Sequence, residues 1–305
     1  MSETGQLPDL AFRPARPEDK QRMLEITANT WGEGGDYISE VWDRWQTDPH
    51  GEFTMAELDG NVVALAKLTW MGDGQWWMEG LRVDPQQRLK GIGQAMNTYQ
   101  LGLIKRWGGG MVRYATGIRN EGSHRIAGRA GFSTLTRFVE RVAEKLDGPV
   151  APEALTRADL DAAWNIALDS DLLRASNGVY VFEWKVNPLT REHLAEHMDQ
   201  GIVMGARDDA GRLCAWGLVE HDPSWERLGL ASLEGTTEGI TWLARAARAH
   251  AAALGKVTVE AMATPHPRAL QALEAAGSHI EIDPEHPEEI REHGIDVLEL
   301  RVDKA

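Results

Sequence analysis

Leu81–Met96 reads LRVDPQQRLKGIGQAM. Leu81 and Val83 alternate with polar neighbours as a strand does, and Asp84-Pro85 ends the ladder because proline has no N–H to pair. From Gly93 onward Met96, Tyr99, Leu103 and Trp107 fall on one face of a helix that Gly108-Gly109-Gly110 terminates. The intervening loop therefore runs straight into a helix N-terminus. Gly91 and Gly93 allow a tight turn and keep side chains away from an approaching anion. The unpaired N–H groups of the loop and first helical turn converge there, and the helix dipole adds positive potential. Arg88 and Lys90 stand beside that nest. Strand, glycine turn and helix start together predict a pyrophosphate site; the plainer alternative is a turn that merely needs two glycines. A nucleotide P-loop is excluded because no Gly-Lys-Ser/Thr follows, and a dinucleotide fingerprint because three suitably spaced glycines are missing.

Working outward, the same plan occurs twice. A short strand at Ala11–Arg13 and Arg16-Pro17-Glu18-Asp19 lead into a helix through Met23 and Ile26. Leu155-Thr156-Arg157-Ala158-Asp159 leads into one through Leu160, Ala163 and Ile166. Hairpins follow at Phe53–Leu58/Val62–Trp70 and at Ile202–Arg207/Leu213–Glu220. Strand, helix, strand and helix come next: Trp76–Val83, Gly93–Trp107, Met111–Thr116 and Ser123–Ala130, against Leu228–Leu233, Glu238–Leu254, Lys256–Met262 and Arg268–Ala276. The Pro/Gly-rich stretch at 146–152 marks the boundary, predicting domains 1–147 and 148–305. A length of 305 residues suits two such domains.

Hydrophobic residues at 42% and charged ones at 26% describe a globular chain, and no run of about 18 apolar residues predicts a membrane span. A start without a basic stretch and apolar core gives no signal peptide, so a cytoplasmic location is expected. The net charge of −15 disfavours nucleic acid and anionic membranes as partners. Cys214 is the only cysteine, and the histidines at 266, 279, 286 and 293 lack ligand spacing, so no metal is expected.

Arg88-Leu89-Lys90-Gly91-Ile92-Gly93 resembles the [RQ]-x-x-G-x-[GA] signature of the Gcn5-related N-acetyltransferases. Asn120-Glu121-Gly122-Ser123, continuing to Gly131-Phe132, is similar to that family's second motif. The resemblance is convincing over residues 11–145 and rests on the repeated plan beyond them. It implies an α/β (α+β) fold of tandem-domain type, each domain a mixed, mostly antiparallel sheet flanked by helices. It implies acetyl-CoA as co-substrate and direct transfer of its acetyl group to a primary amine of a small molecule. Backbone contacts to pantetheine would come from Leu81, Arg82 and Val83, and pyrophosphate contacts from Arg88, Leu89, Lys90, Gly91, Ile92, Gly93 and Gln94. Asn120 and Ser123 would flank the pantetheine. The departure is Ala127, where many members carry a tyrosine that protonates the thiolate; Tyr114 and Ser123 are weak substitutes, and no general acid is assigned.

Glu79 is the candidate base, being an even number of residues from Leu81 and Val83 in a strand and walled by Trp76, Trp77 and Met78. The alternative for Glu79 is an ion pair with Arg82. The loop containing Trp31, Glu33, Asp36 and Tyr37, together with Trp77, is the candidate acceptor site, against the alternative of aromatics tucked into the core. The Gly35-Asp36-Tyr37-Ile38 loop with Glu79–Pro85 also resembles the histidine N-acetyltransferase group, which implies a free amino acid as acceptor. The second half has Leu233-Glu234-Gly235-Thr236-Thr237-Glu238-Gly239 where the cradle would be, with two carboxylates and no cation, so it is expected not to bind CoA. A non-catalytic acyl-CoA sensor and a protein N-acetyltransferase are the rival functions. Monomer and homodimer both remain open.

Overall fold

The computed structural model describes residues 10–28, 36–148, 152–182, 184–223, 225–281 and 292–305. In chain order the elements begin with β1 (Leu10–Pro14), α1 (Lys20–Thr27), α2 (Ile38–Thr47), β2 (Gly51–Leu58), β3 (Asn61–Trp70) and β4 (Gln75–Val83). They continue with α3 (Ile92–Arg106), β5 (Gly110–Gly117), α4 (Glu121–Ala130), β6 (Ser133–Glu144) and β7 (Glu153–Ala154). Next come α5 (Leu160–Asp169), α6 (Asp171–Ala175), β8 (Val179–Phe182), β9 (Lys185–Pro188) and α7 (Arg191–Asp199). The last are β10 (Val203–Arg207), β11 (Leu213–Glu220), β12 (Arg227–Gly235), α8 (Thr237–Ala253), β13 (Thr258–Ala263), α9 (Pro267–Ala275) and β14 (Gly294–Val302).

Two compact units result. One comprises Met1–Tyr114, Glu121–Ser133 and Leu298–Ala305; the other comprises Ala115–Asn120 and Thr134–Val297. These units cut the chain elsewhere than after residue 147. Val139–Glu144 of β6 pairs with Ala263–Thr258 of β13, so backbone bonding counts β6 with the second unit despite its place in sequence.

In the first unit the sheet order is β1-β2-β3-β4-β5, followed by the β14 residues from Leu298 on. β1 to β4 are antiparallel neighbours, and β4 and β5 are parallel. Alternation sorts the side chains onto two faces. Met55 and Leu65 pack with Met23 and Ile26 of α1 and with Ile38, Trp42 and Trp45 of α2. Ala56, Ala64 and Ala66 pack under Ile92 and Met96 of α3. Small residues on that second face let the helix approach closely. Trp42, Met23, Ile26 and Met96 are buried, and each such side chain contributes about 1.5–3 kcal/mol.

The second unit repeats this layering. Its order is β14, through its first four residues, then β6-β13-β12-β11-β10-β7, with β8 and β9 as a separate hairpin. β12 and β13 are parallel, and the other pairings among β6, β7 and β10–β13 are antiparallel. Ala244, Ala247 and Ala251 of α8 join α9 in one core, while α5 and α7 pack around Trp216 and Leu218 on the opposite face. Each unit is thus a mixed, mostly antiparallel sheet flanked by helices.

Candidate active site in the first unit

β4 departs from a regular strand in two ways. Its parallel pairing with β5 covers only Gln75–Trp77 against Met111–Arg113, so Met78–Val83 turn their backbone edge away from that ladder. Against β3, Lys67 faces Glu79 but Leu65 faces Arg82, which leaves one extra residue on β4. The extra residue is accommodated at Gly80, whose φ of +69° is one that glycine adopts without strain. A Cβ at Gly80 would lie 2.5 Å from Trp45 Cη2, so glycine is required by contact as well as by conformation.

The bulge corrects one expectation. Glu79 does not share a face with Leu81 and Val83, because the extra residue shifts the alternation by one. Leu81 and Val83 pack with Ile92 and Met96 on the α3 side. Glu79 and Arg82 instead stand opposite Lys67 and Leu65 on the α1/α2 side. An isolated glycine inside a strand was the available signal for this bulge.

Arg82 holds Asp36 through two hydrogen bonds, Nε to Oδ2 at 2.6 Å and Nη2 to Oδ1 at 3.2 Å. The Asp36 side chain is fully buried, and Oδ1 also accepts the Ile38 N–H at the start of α2. Its charge is therefore neutralised within the fold, and Arg82 Nη1 donates to the Leu81 carbonyl at 3.2 Å. Tyr37 stacks edge-on against Trp45 at 5.9 Å, with the Arg82 guanidinium 5.6 Å from its ring centre. Its ring is partly exposed while its hydroxyl end is sheltered: burial pushes the phenol up first, the negative charge of Glu79 second, and Arg82 opposes both. Half-buried Glu79 and the Tyr37 oxygen are thus electrostatic neighbours. Trp77 is buried on the same face, opposite Thr69. Lys67, fully buried across from Glu79, is tied to Asp48 at 2.7 Å, and sequence inspection did not single it out. Trp31 and Glu33 lie outside the described residues.

Beyond the bulge, Asp84 caps a short turn by accepting the Gln86 N–H at 2.9 Å and pairs with Arg22, which anchors the end of β4. Gly91 N-caps α3 with a φ of +86° and open space where a Cβ would point. The first helical bond closes from the Ala95 N–H to the Gly91 carbonyl, so the N–H groups of Ile92, Gly93 and Gln94 precede it. A Cβ on Gly93 would come 3.1 Å from Ile126, so glycine there permits α3 to seat against α4. Arg88 makes no ion pair among the described residues, and Lys90 reaches only Gln87 Oε1. Leu89 is fully exposed at a φ of +64°. Gln94 Oε1 is buried without a partner among the described residues. A loop with a free cation, unused donors and an orphaned acceptor fits a polyanionic ligand that brings its own hydrogen-bonding groups.

Asn120 closes a turn onto the Gly117 carbonyl just before α4. The Tyr114 hydroxyl donates to the Ser123 carbonyl at 3.3 Å, and burial holds its pKa above the usual phenol range. Ala127 is buried in the core beside Phe132, so nothing at that position reaches a reacting group.

The second unit has the bulge without the cradle. Trp216 faces Glu234 and Leu218 faces Ala231, with Ser232 at a φ of +54° taking up the extra residue. Only Thr236 separates β12 from α8, and its hydroxyl already accepts the Gly239 N–H.

Residues 20–132 match the model of the Acetyltransferase (GNAT) family. The histidine N-acetyltransferase of Oreochromis niloticus is 31% identical over 97 residues, 32% of this chain and 28% of that protein. Its counterpart from Scomber australasicus is 29% identical over the same shares. The matched stretch therefore spans less than a third of these relatives. The GCN5-related N-acetyltransferase from Sphaerobacter thermophilus aligns over 98% of each chain at 17% identity, with a TM-score of 0.67. A tandem GNAT protein from the clavulanic acid biosynthesis pathway covers 97% of this chain and all of its own at 14% identity, with a TM-score of 0.59. Both likenesses are ones of fold. Over residues 20–132, the stretch that carries the bulged strand and the glycine turn, this chain is similar to the acetyltransferase (GNAT) family.

Proposed function

We propose that the protein is an N-acetyltransferase that moves the acetyl group of acetyl-CoA to a primary amine of a small molecule within a ternary complex. The observation that carries this reading is β4, which parts from β5 after Trp77, bulges at Gly80 and leads into the glycine turn before α3. Its exposed backbone edge at Leu81 and Val83 suits the amide-bearing pantetheine arm. Arg88 and the N–H groups of Ile92, Gly93 and Gln94 suit the pyrophosphate. The first unit would carry the reaction and the second would lack a CoA site, in a cytoplasmic protein; among the described residues no helix is long and apolar enough to cross a membrane.

In the reaction, Glu79 accepts a proton from the ammonium, directly or through water, and the freed nitrogen lone pair attacks the thioester carbonyl carbon. A backbone N–H of the bulged segment stabilises the oxyanion. Collapse of the tetrahedral adduct breaks the C–S bond and releases CoA as thiolate; the second nitrogen proton passes to solvent, which in turn protonates the thiolate. The similarity to histidine N-acetyltransferases over residues of this unit favours an amino acid as acceptor.

Glu79→Gln is expected to lower kcat about 10²-fold with little change in acetyl-CoA affinity, the usual scale for a lost general base. Release of free CoA across an amine panel, with calorimetry for acetyl-CoA, checks both. Tight acetyl-CoA binding with no turnover on any amine would favour a sensor, the reading that buried Ala127 supports.

A further inference from the structure

The second unit contains a cavity of about 10 Å³ beside its bulged strand, lined from α6, β8, β11, β12, β13 and α9, with room for one group of water's size. Tyr180, Ser176, Ser232 and Thr264 contribute polar lining, Met262 an apolar wall, and Glu234 the single carboxyl group. The neighbouring hydroxyls are committed within the fold. Ser176 Oγ is 2.7 Å from the Val179 carbonyl, Ser232 Oγ is 2.9 Å from the Val181 carbonyl, and the Tyr180 hydroxyl is 3.0 Å from His197 Nε2. Glu234 is only 5% exposed, and its Oε2 has no partner among the described residues. Burying an unsatisfied carboxyl oxygen costs stability, which makes an orphan beside a cavity informative.

We propose that this cavity is a binding subsite for the ammonium head of a small primary amine, with Glu234 as its counterion. A –NH3+ group matches water in size and offers donors to Oε2, whereas anions meet no cation in the lining and larger cations exceed the space. The position is the counterpart of Arg82 in the first unit, each following its bulge by two residues on the strand, so the exchange of arginine for glutamate reverses the charge preference. Besides the Ser170 hydroxyl and Leu173 N–H of α6, Arg174 faces Glu234 and weakly favours its anion. Burial dominates and raises the carboxyl to about 8, so at pH 7 an entering ammonium must displace the Glu234 proton. The proposal stands independently of acetyl transfer in the first unit.

The test is calorimetric titration of the full chain with ethylammonium chloride at pH 7 in two buffers of different ionisation enthalpy. Tetramethylammonium chloride serves as the oversized control. Saturable binding of ethylammonium with release of close to one proton is expected, with no binding of tetramethylammonium. Glu234→Gln is expected to weaken ethylammonium at least tenfold and to abolish the proton release, while leaving acetyl-CoA affinity unchanged. No saturable binding of ethylammonium by the wild type, equal binding of tetramethylammonium, or equal ethylammonium binding in the variant would each overturn the assignment. Because the wild-type comparison of the two cations is decisive alone, the result does not depend on how the variant folds.

Discussion

Lys67 is the most exacting single residue in the first unit. Its ammonium is fully buried, and a buried charge is tolerated only when paired and hydrogen-bonded; Asp48 and the Leu68 carbonyl meet that requirement. Lys67 also holds Asp48 below the ordinary carboxylate range, although partial burial of Asp48 works the other way. Removing one partner is therefore worse than removing the ammonium itself. Asp48→Ala should destabilise the protein by about 2–4 kcal/mol, whereas Lys67→Met should cost under about 2 kcal/mol, both read by urea denaturation. Comparable losses would remove the argument. The pair was not legible in the sequence because a lysine in an apolar strand reads as a surface residue. The phase of Glu79 was misread for a related reason: period-two alternation holds only for an unbulged strand, and one residue at Gly80 reverses it.

At the scale of elements, the two strand-to-helix connections differ in the donors they leave unpaired, and the proposed polyanion site follows from that difference. Pro85–Gly91 and their flanks give the first unit a loop with unpaired donors, while Thr236 alone joins β12 to α8 and uses its hydroxyl on the helix N-terminus. Gly91→Ala tests the loop without touching the core, since nothing lies within 4 Å of a Cβ there. An alanine at a φ of +86° costs about 1 kcal/mol in conformation, and the strain falls on the turn that aims the N–H groups. Acetyl-CoA affinity measured calorimetrically should fall about tenfold with little change in thermal unfolding. An unchanged affinity would mean that the turn does not organise the site. These elements were legible because glycine, proline and apolar spacing act locally: the strand ending at Val83 and the helix ending by Arg106 came within a residue or two. α6, β8 and β9 were not, since α6 and β8 owe their existence to packing on β12, β9 to pairing with β8, and elements this short leave no periodic signal.

On the scale of the whole molecule, buried carboxyls set how stability follows pH. Glu234 is raised to about 8 and Glu260 to about 7, both chiefly by burial and Glu260 also by the Glu140 charge, well above the value near 4.3 of an unfolded chain. Between those values the folded state keeps protons that the unfolded state has lost. Stability is then full below about pH 4 for these groups and declines as pH rises through 7 to 8. Asp19 and Asp48, lowered by Arg13 and Lys67 against burial, act oppositely and lose their contribution in acid. Glu234→Gln should flatten the decline and raise stability at pH 8.5 by a few kcal/mol, read by denaturation at pH 5, 7 and 8.5. A parallel pair of profiles would refute the burial account. The chain's ends supply a second molecular prediction. The first unit includes Leu298–Ala305, although its family match ends at residue 132. Leu298 is buried with Val112 and Phe132, Glu299 pairs with Arg113 at 2.6 Å, and the Ala305 N–H reaches the Lys105 carbonyl. Gly109 is fitted so closely to Val302 that a Cβ would lie 2.6 Å from its carbonyl oxygen. A fragment of residues 1–147 loses all of these contacts at once. The loss is on the order of 5 kcal/mol, comparable with the net stability of a domain. Such a fragment is expected to melt without a cooperative transition, to lack the near-ultraviolet circular dichroism of its tryptophans and to bind no acetyl-CoA. A cooperatively folding fragment would show instead that the returning strand is dispensable to the unit that carries the candidate site.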